Sequence, residues 1–345
     1  MDGPGITTPD TDPSDLPLGL RRGPTHAVHA SGPRVEGSAR RTMSIDVPFP
    51  ELSSGRGRAE ARGRDLITSA DGTTDVVDVS ESTLEFDLAG GGIERIDSSE
   101  PGADALAGTS VRKAFSRTLT EVLPTAAAGR SLGFSMLEEA SGVVFVAGFA
   151  LLRAGLIPED PASGPERAAH QADVCAGWAT GTPLLQILGT EGRTVVPTGP
   201  TAPRIEDGDV DGWHDLAALE HGTVRRRRCL DVARGPEGGF TVSAHMRDSY
   251  ADVETEMVLH EYLVELDVDD RGVVERVRVE PRVLPWDTCP SAVASAQRVV
   301  GVELAALPAT VRGDLVGTST CTHLNATIRT LADAACLIRA LEGAP

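Results

Sequence analysis

Two stretches of this chain repeat one pattern of residues. Residues 225–232 read RRRRCLDV and residues 40–47 read RRTMSIDV, so both open on paired arginines and close on Asp-Val. Further along, Arg64-Asp65 corresponds in the same order to Arg247-Asp248. Collinear matches of this kind predict an internal duplication, and two copies of one unit are expected to pack as a pseudo-dimer.

The second copy reads as four strands followed by two helices. The strands are predicted over residues 223–232, 240–250, 257–268 and 273–283. One helix is predicted to begin at Pro290 and another near Cys321, each with an apolar face. The chain is therefore predicted to be α+β, with two copies of an antiparallel sheet covered by helices.

Four segments follow from this pattern. Residues 1–38 are rich in Gly, Pro, Ser, Thr and Asp and are predicted to be a disordered leader. Residues 39–158 form an N-terminal degenerate repeat, which has Leu137-Glu138-Glu139 where the second copy has Cys321-Thr322-His323. Residues 159–222 are a connector with a helix, and residues 223–345 are the C-terminal repeat, which is expected to carry the chemistry.

Composition excludes several classes of protein. The net charge of -19 argues against nucleic acid as a partner, because phosphate contacts need a basic surface. The basic cluster Arg225–Arg228 is short and is expected to be the solvated start of a strand. The longest apolar stretch, Val143–Leu152, is too short to cross a membrane and predicts a buried helix. No secretory signal precedes the five cysteines, so a reduced, cytoplasmic location is expected.

Two cysteines sit where helices are predicted to begin. Cys289 precedes Pro290, and Cys321 follows Ser319-Thr320 and lies two residues before His323. The positive end of a helix is expected to lower the pKa of each thiol. Two thiolates and an imidazole suit zinc or iron, so Cys289, Cys321 and His323 are the predicted metal ligands.

The fourth ligand is left open by the sequence. Cys175, Asp248 and His245 are the candidates, and a bound water in that position would make the site catalytic. His245 has Arg62 as its counterpart in the first copy, which favours a functional role. We therefore take His245 and Asp248 as candidate catalytic residues and Cys175 as a candidate metal ligand.

Each of these residues also has a structural interpretation. Cysteines are often buried as small apolar residues, as is expected for Cys229 and Cys336. Arg247-Asp248 can be a buried pair that orients the sheet, since the first copy keeps it. His260 and His214 stand alone in the sequence and are assigned no role.

The stretch from Val224 to Ala335 resembles the bacterial family catalogued as domain of unknown function 2889. The features that carry the resemblance are the Arg-Arg-x-Arg-x-x-Asp-Val strand, a His-x-x-Asp strand and a Cys-Thr-His-Leu helix start. This resemblance implies no activity. A weaker likeness to iron–sulfur scaffold proteins of the NifU and SufE kind implies a similar layer of strands and helices, and an iron–sulfur cluster as an alternative cofactor.

The first functional hypothesis is a metal-dependent enzyme of the lyase, hydratase or hydrolase type. It would use zinc or iron at the Cys/Cys/His site on a small-molecule substrate, with neither nucleic acid nor a membrane as partner. The second hypothesis is a scaffold or carrier for an iron–sulfur cluster or zinc. The third is a structural protein without metal.

Overall fold

The computed structural model describes residues 19–112, 114–235 and 238–343, and the strands of this part lie in one antiparallel sheet. The strands are β1 (Ser38–Val47), β2 (Arg56–Thr68), β3 (Thr74–Asp87), β4 (Ile93–Ser98), β5 (Val224–Arg234), β6 (Phe240–Ala251), β7 (Glu256–Val268) and β8 (Val274–Val283). Their order is β4-β3-β2-β1-β5-β6-β7-β8. Two four-stranded meanders thus meet at β1 and β5. The α+β class is confirmed, but the two predicted sheets are one continuous sheet, because β1 and β5 pair along their whole length.

Reciprocal ion pairs span the junction of the two meanders. Arg40 Nε lies 2.6 Å from Asp231 Oδ1, and Arg225 Nε lies 2.5 Å from Asp46 Oδ1. In the alignment of residues 40–47 with 225–232, Arg40 corresponds to Arg225 and Asp46 to Asp231. Each half therefore gives the other the same pair of charges, which is the pattern of a self-complementary two-fold interface.

The predicted solvated cluster Arg225–Arg228 is instead buried. Successive arginines point alternately to the two faces of β5, and each one pairs with a carboxylate on its face. The pairs are Arg225 with Asp46, Arg226 with Asp248 and Glu139, Arg227 with Glu256, and Arg228 with Glu139. The solvated interpretation was wrong because these carboxylates are distant in sequence and only the fold brings them to β5.

Helices cover one face of the sheet. They are α1 (Phe115–Val122), α2 (Pro124–Gly129), α3 (Leu132–Arg153), α4 (Gly164–Gln171), α5 (Pro183–Glu191), α6 (Leu307–Asp314), α7 (Thr322–Thr330) and α8 (Ala334–Leu341). The helix predicted from Pro290 is a 3-10 segment, Cys289–Val299. The helix predicted near Cys321 is α7, with Cys321 at its N-cap.

The long helix α3 packs across β1 and β2. Ser131 caps it by accepting a hydrogen bond from the Phe134 amide, so Leu137–Glu139 lie inside the helix rather than at its start. Among the described residues it is the one helix long and apolar enough to cross a membrane, and 61% of its apolar window is buried in the protein. The predicted buried helix over Val143–Leu152 is part of it. The greater part of this window therefore lies in the core of the protein.

Segments outside the helices cover the other face of the sheet. The predicted leader contributes here: residues 1–18 lie outside the described residues, whereas 19–37 make defined contacts. Thr25 pairs with Val283 at the edge of β8, and the Val28 amide donates to Glu261. Within the connector, Trp213 and His214 are buried against this face. The part of the leader after residue 18 is therefore built into the fold.

Candidate active site in the second half of the sheet

A buried carboxylate, Asp248 on β6, is held by an arginine on the neighbouring strand. Arg226 donates from Nε to Asp248 Oδ1 at 2.6 Å and from Nη2 to Oδ2 at 2.8 Å, and both side chains are almost fully buried. Burial alone would raise the pKa of Asp248, but the Arg226 guanidinium outweighs it and holds the pKa well below its usual range. Asp248 is therefore an anion fixed in orientation on the helix-covered face.

Two imidazoles lie over this carboxylate. His260 on β7 is opposite Asp248 in the strand register, and His323 is in the first turn of α7. Their rings stack with centroids 3.6 Å apart and planes 15° apart. His260 Nδ1 and His323 Nε2 each lie 3.6 Å from Asp248 Oδ2. Burial, and then the neighbouring His260, lower the pKa of His323 well below its ordinary value, so His323 is neutral at pH 7.

This spacing suits a metal ion. An oxygen and a nitrogen 3.6 Å apart are too far for a hydrogen bond. In a tetrahedral site with bonds of about 2.1 Å, ligand atoms lie about 3.4 Å from one another. Among the residues that the structure describes, one group of three possible ligands lies within 4.8 Å, and it is Asp248, His260 and His323. An ion bound to both rings requires them to tilt out of their parallel stack.

The predicted cysteine ligands lie next to this group of three residues. Cys321 Sγ lies 3.8 Å from His323 Nδ1. A Cβ atom built on Gly177 would lie 3.1 Å from Cys289 Sγ and 3.9 Å from Cys175 Sγ, so both thiols face this glycine. Burial raises the pKa of the Tyr262 hydroxyl, and the neighbouring thiols Cys321, Cys289 and Cys175 raise it further. Tyr262 therefore lies close to all three thiols. Cys175, Cys289 and Cys321 thus share one region with His323, although they do not join it in the group of three ligands.

The lowering that was expected for the pKa of Cys289 is not found. Burial raises the pKa of Cys175 and of Cys289, with neighbouring thiols adding to it. The segment after Cys289 is a 3-10 segment rather than an α-helix. Loss of hydration outweighs the favourable effect that a helix start was predicted to provide.

A cavity of about 520 Å³ opens on these residues. His260, His323 and the three cysteines lie on its wall, together with aromatic rings from α3, the connector and the segment after β8. Those rings belong to Phe145, Trp178 and Trp286. A second cavity of about 460 Å³ shares Phe145, Trp178, Trp286, His260 and His323 with it. The volume is that of a pocket for a small organic molecule.

The candidate catalytic residue His245 lies elsewhere. Its Nε2 is 2.8 Å from Glu261 Oε1, and Arg247 Nε binds the same oxygen at 2.6 Å. Side chains alternate along a strand, so residues 245 and 248 point to opposite faces of the sheet. The structure therefore buries Asp248 beneath the two imidazoles that line the cavity. It places His245 on the opposite face of the sheet, near residue 28 of the N-terminal segment.

Sequence reasoning missed His260. It stands outside every motif, but a tight turn joins β6 to β7, where the Asp252 amide donates to the Thr255 carbonyl. Counted from the turn, the register would set Leu259 opposite Asp248, but a β-bulge between Asp248 and Ser249 brings His260 there instead. Aligning the two strands about the turn would therefore not have found His260.

Much of the described site lies in a segment that matches a family model. Residues 224–337 match the model of a family described as Protein of unknown function (DUF2889). This match confirms the resemblance predicted for the C-terminal part of the chain, and it spans Asp248, His260, Cys289, Cys321 and His323. No curated protein and no solved structure matches the chain, so the likeness to NifU and SufE proteins finds no support.

Proposed function

We propose that this protein is a metal-dependent enzyme acting on a small organic substrate, with its ion bound by Asp248, His260 and His323. The observation that carries the proposal is the grouping, within 4.8 Å, of one buried carboxylate with two imidazoles that line a cavity. Three protein ligands leave a coordination position open, which is typical of catalytic sites.

The ligand set suggests the ion and the chemistry. Two histidines and one carboxylate suit iron(II) or zinc. An ion with an open position polarises a carbonyl group or activates a water, as a lyase, hydratase or hydrolase requires. The neutral ring of His323 has a lone pair to give, and Arg226 keeps Asp248 ionised and oriented. Orienting contacts of this kind normally strengthen metal binding.

Comparison of the two halves supports a role for the imidazoles. Arg41 binds Asp65 through two hydrogen bonds of 2.8 and 2.7 Å, as Arg226 binds Asp248. Asp78 lies opposite Asp65 in the strand register, where His260 lies opposite Asp248. We infer that the halves arose by duplication, that the arginine–aspartate pair is structural in both, and that only the second half acquired metal ligands.

The cysteines favour a second candidate function. Cys175, Cys289 and Cys321 line the cavity with His323, which would suit a carrier or scaffold for zinc or an iron–sulfur cluster. His323, whose Nδ1 lies 3.8 Å from Cys321 Sγ, would be shared between the two candidate sites. All five cysteines are free thiols, in keeping with the cytoplasmic location expected for either function.

Metal content tests the proposal. The protein is purified without air, loaded with zinc or iron(II), desalted and assayed for metal per chain. We expect about one ion per chain, lost in His260→Gln and in His323→Gln. Asp65→Asn is the matched control for Asp248→Asn, because each removes one charge from a buried pair with arginine. Equal metal content in these two variants, or full loading of both histidine variants, would overturn the assignment.

A brown, transferable chromophore lost in Cys289→Ser would instead support the scaffold. Protein that stays free of metal under all these conditions would leave only the structural interpretation.

A further inference from the structure

Arginine side chains outnumber carboxylates on the cavity wall of this strongly acidic protein. The chain has a net charge of -19, yet the ionised side chains on the cavity wall are Arg112, Arg226 and Arg329 against Glu138 alone. Arg226 is committed to Asp248 and Glu139. The two other arginines remain to contact a ligand.

Arg329 has a hydrogen-bond donor without a partner among the described residues. Its Nε is buried and makes no hydrogen bond with the described residues. Its ion pairs are long, at 3.5 Å from Nε to Glu138 Oε1 and 3.8 Å from Nη2 to Glu139 Oε1. Ser116 and Arg130 donate to Glu138, and Arg226 and Arg228 donate to Oε2 of Glu139, whose Oε1 accepts no hydrogen bond from the described residues. Arg329 makes no hydrogen bond with either glutamate at these distances, so its guanidinium is available to the carboxylate of a ligand.

Helix α7 sets the distance between this arginine and the proposed metal. Thr322, His323, Ala326 and Arg329 all line the cavity, as residues on one face of a helix do. His323 and Arg329 are six residues apart, so they are separated by about 9 Å along the helix axis. The same cavity wall carries Phe145, Trp178 and Trp286.

Resting on the proposed function, we infer that the substrate is a flat, apolar carboxylic acid whose carboxylate binds Arg329. Its reactive end lies toward Asp248, His260 and His323, and its apolar body packs on the aromatic rings. Arg112, which lies on the exposed side of the cavity and makes no ion pair among the described residues, adds a second positive charge. Aromatic acids of about the length of cinnamate fit this description, and a cation at the metal position would strengthen their binding.

Calorimetric titration of the metal-free, chelator-treated protein tests the inference apart from the metal. The probes are cinnamate and its neutral analogue cinnamamide. We expect cinnamate to bind at least about tenfold more tightly than cinnamamide, because a charge-assisted hydrogen bond is lost with the amide. Equal affinity for the two probes, or no binding of cinnamate, would overturn the inference whether or not the protein binds metal.

Substitutions of single arginines test where the carboxylate of cinnamate binds. Arg329→Gln is expected to weaken cinnamate binding at least about tenfold and to leave cinnamamide unchanged. Arg112→Gln, at an exposed position where folding is not at risk, should weaken cinnamate by a smaller factor. Arg339→Gln on the exposed side of α8 is the control and should have no effect. Unchanged cinnamate affinity in folded Arg329→Gln would show that the carboxylate binds elsewhere.

Discussion

His260 and His323 stack face to face, with ring centroids 3.6 Å apart, above one oxygen of Asp248. Two imidazolium cations would repel each other at this distance, and the lowered pKa of His323 keeps that ring neutral. A neutral ring with a free nitrogen is what a metal ion requires. His323 thus offers a ligand atom without a charge to displace.

Zinc is expected to stabilise the protein through this stack. At a free zinc concentration of about 100 times the dissociation constant, the free energy of unfolding should rise by about 2.7 kcal/mol. His260→Phe keeps a ring in the stack but removes the ligand, so it should abolish the rise. Thermal unfolding with and without zinc measures this effect. The exposed His221→Gln serves as control, and a zinc effect that persists in His260→Phe would contradict the proposal.

The pair of Arg226 and Asp248 is expected to be essential for stability. Removing one partner of a buried pair leaves the other charge uncompensated, so Arg226→Met should lower the free energy of unfolding by about 3–5 kcal/mol. Arg41→Met should cost about as much, because Arg41 holds Asp65 in the same way. Arg278→Gln, on an exposed part of β8, should cost at most about 1 kcal/mol. Urea unfolding of the three variants would refute the prediction if their losses were equal.

The absence of a side chain at Gly142 on α3 leaves room for the side chain of Arg226. A Cβ atom at Gly142 would lie 2.7 Å from Arg226 Nη1, and that side chain is held by Asp248 and Glu139. Gly142→Ala should therefore destabilise the protein although alanine favours helices. Gly148 on the same helix has no atom within 4 Å of its Cβ position, so Gly148→Ala should stabilise by about 0.5–1 kcal/mol. In denaturant unfolding, the two substitutions are expected to change the free energy of unfolding in opposite directions. Changes in the same direction would contradict this packing.

His214 is expected to make stability depend on pH. Burial, and then the charges of Arg64 and Arg225, lower the pKa of His214 to about 3, and its ring contacts the hydroxyls of Thr42 and Ser44. The unfolded chain binds this proton at an ordinary pKa of about 6.5, so stability falls as pH decreases from 6.5 toward 3.

Between pH 7.5 and 5.5 this histidine should contribute a loss of about 1.4 kcal/mol. His214→Gln should remove that part of the pH dependence while keeping hydrogen-bonding capacity. Denaturant unfolding of both proteins at the two pH values measures it. An identical pH dependence in the variant would show that the ring is already exposed or charged.

Much of the local structure could be predicted from the sequence. The strands of the second half and the N-cap position of Cys321 follow from periodicity and helix-start signals. These signals act over a few residues. The pairing of β1 with β5 joins segments far apart in the chain, and nothing local distinguishes two sheets from one.

The errors at the site have two physical causes. His245 and Asp248 differ by an odd number of residues, so one strand cannot point both to the same face. His260 reaches the site through the register of a hairpin, and Arg225–Arg228 are neutralised by carboxylates distant in sequence. Such convergence depends on tertiary structure, and no motif reports it.

X-ray absorption spectroscopy of the zinc-loaded protein tests the central claim most directly. A shell of nitrogen and oxygen atoms at about 2.0–2.2 Å is expected, with the outer scattering of two imidazole rings. His260→Gln should remove the contribution of one ring. A shell dominated by sulfur at about 2.3 Å would place the ion on the cysteines and contradict the site formed by Asp248, His260 and His323.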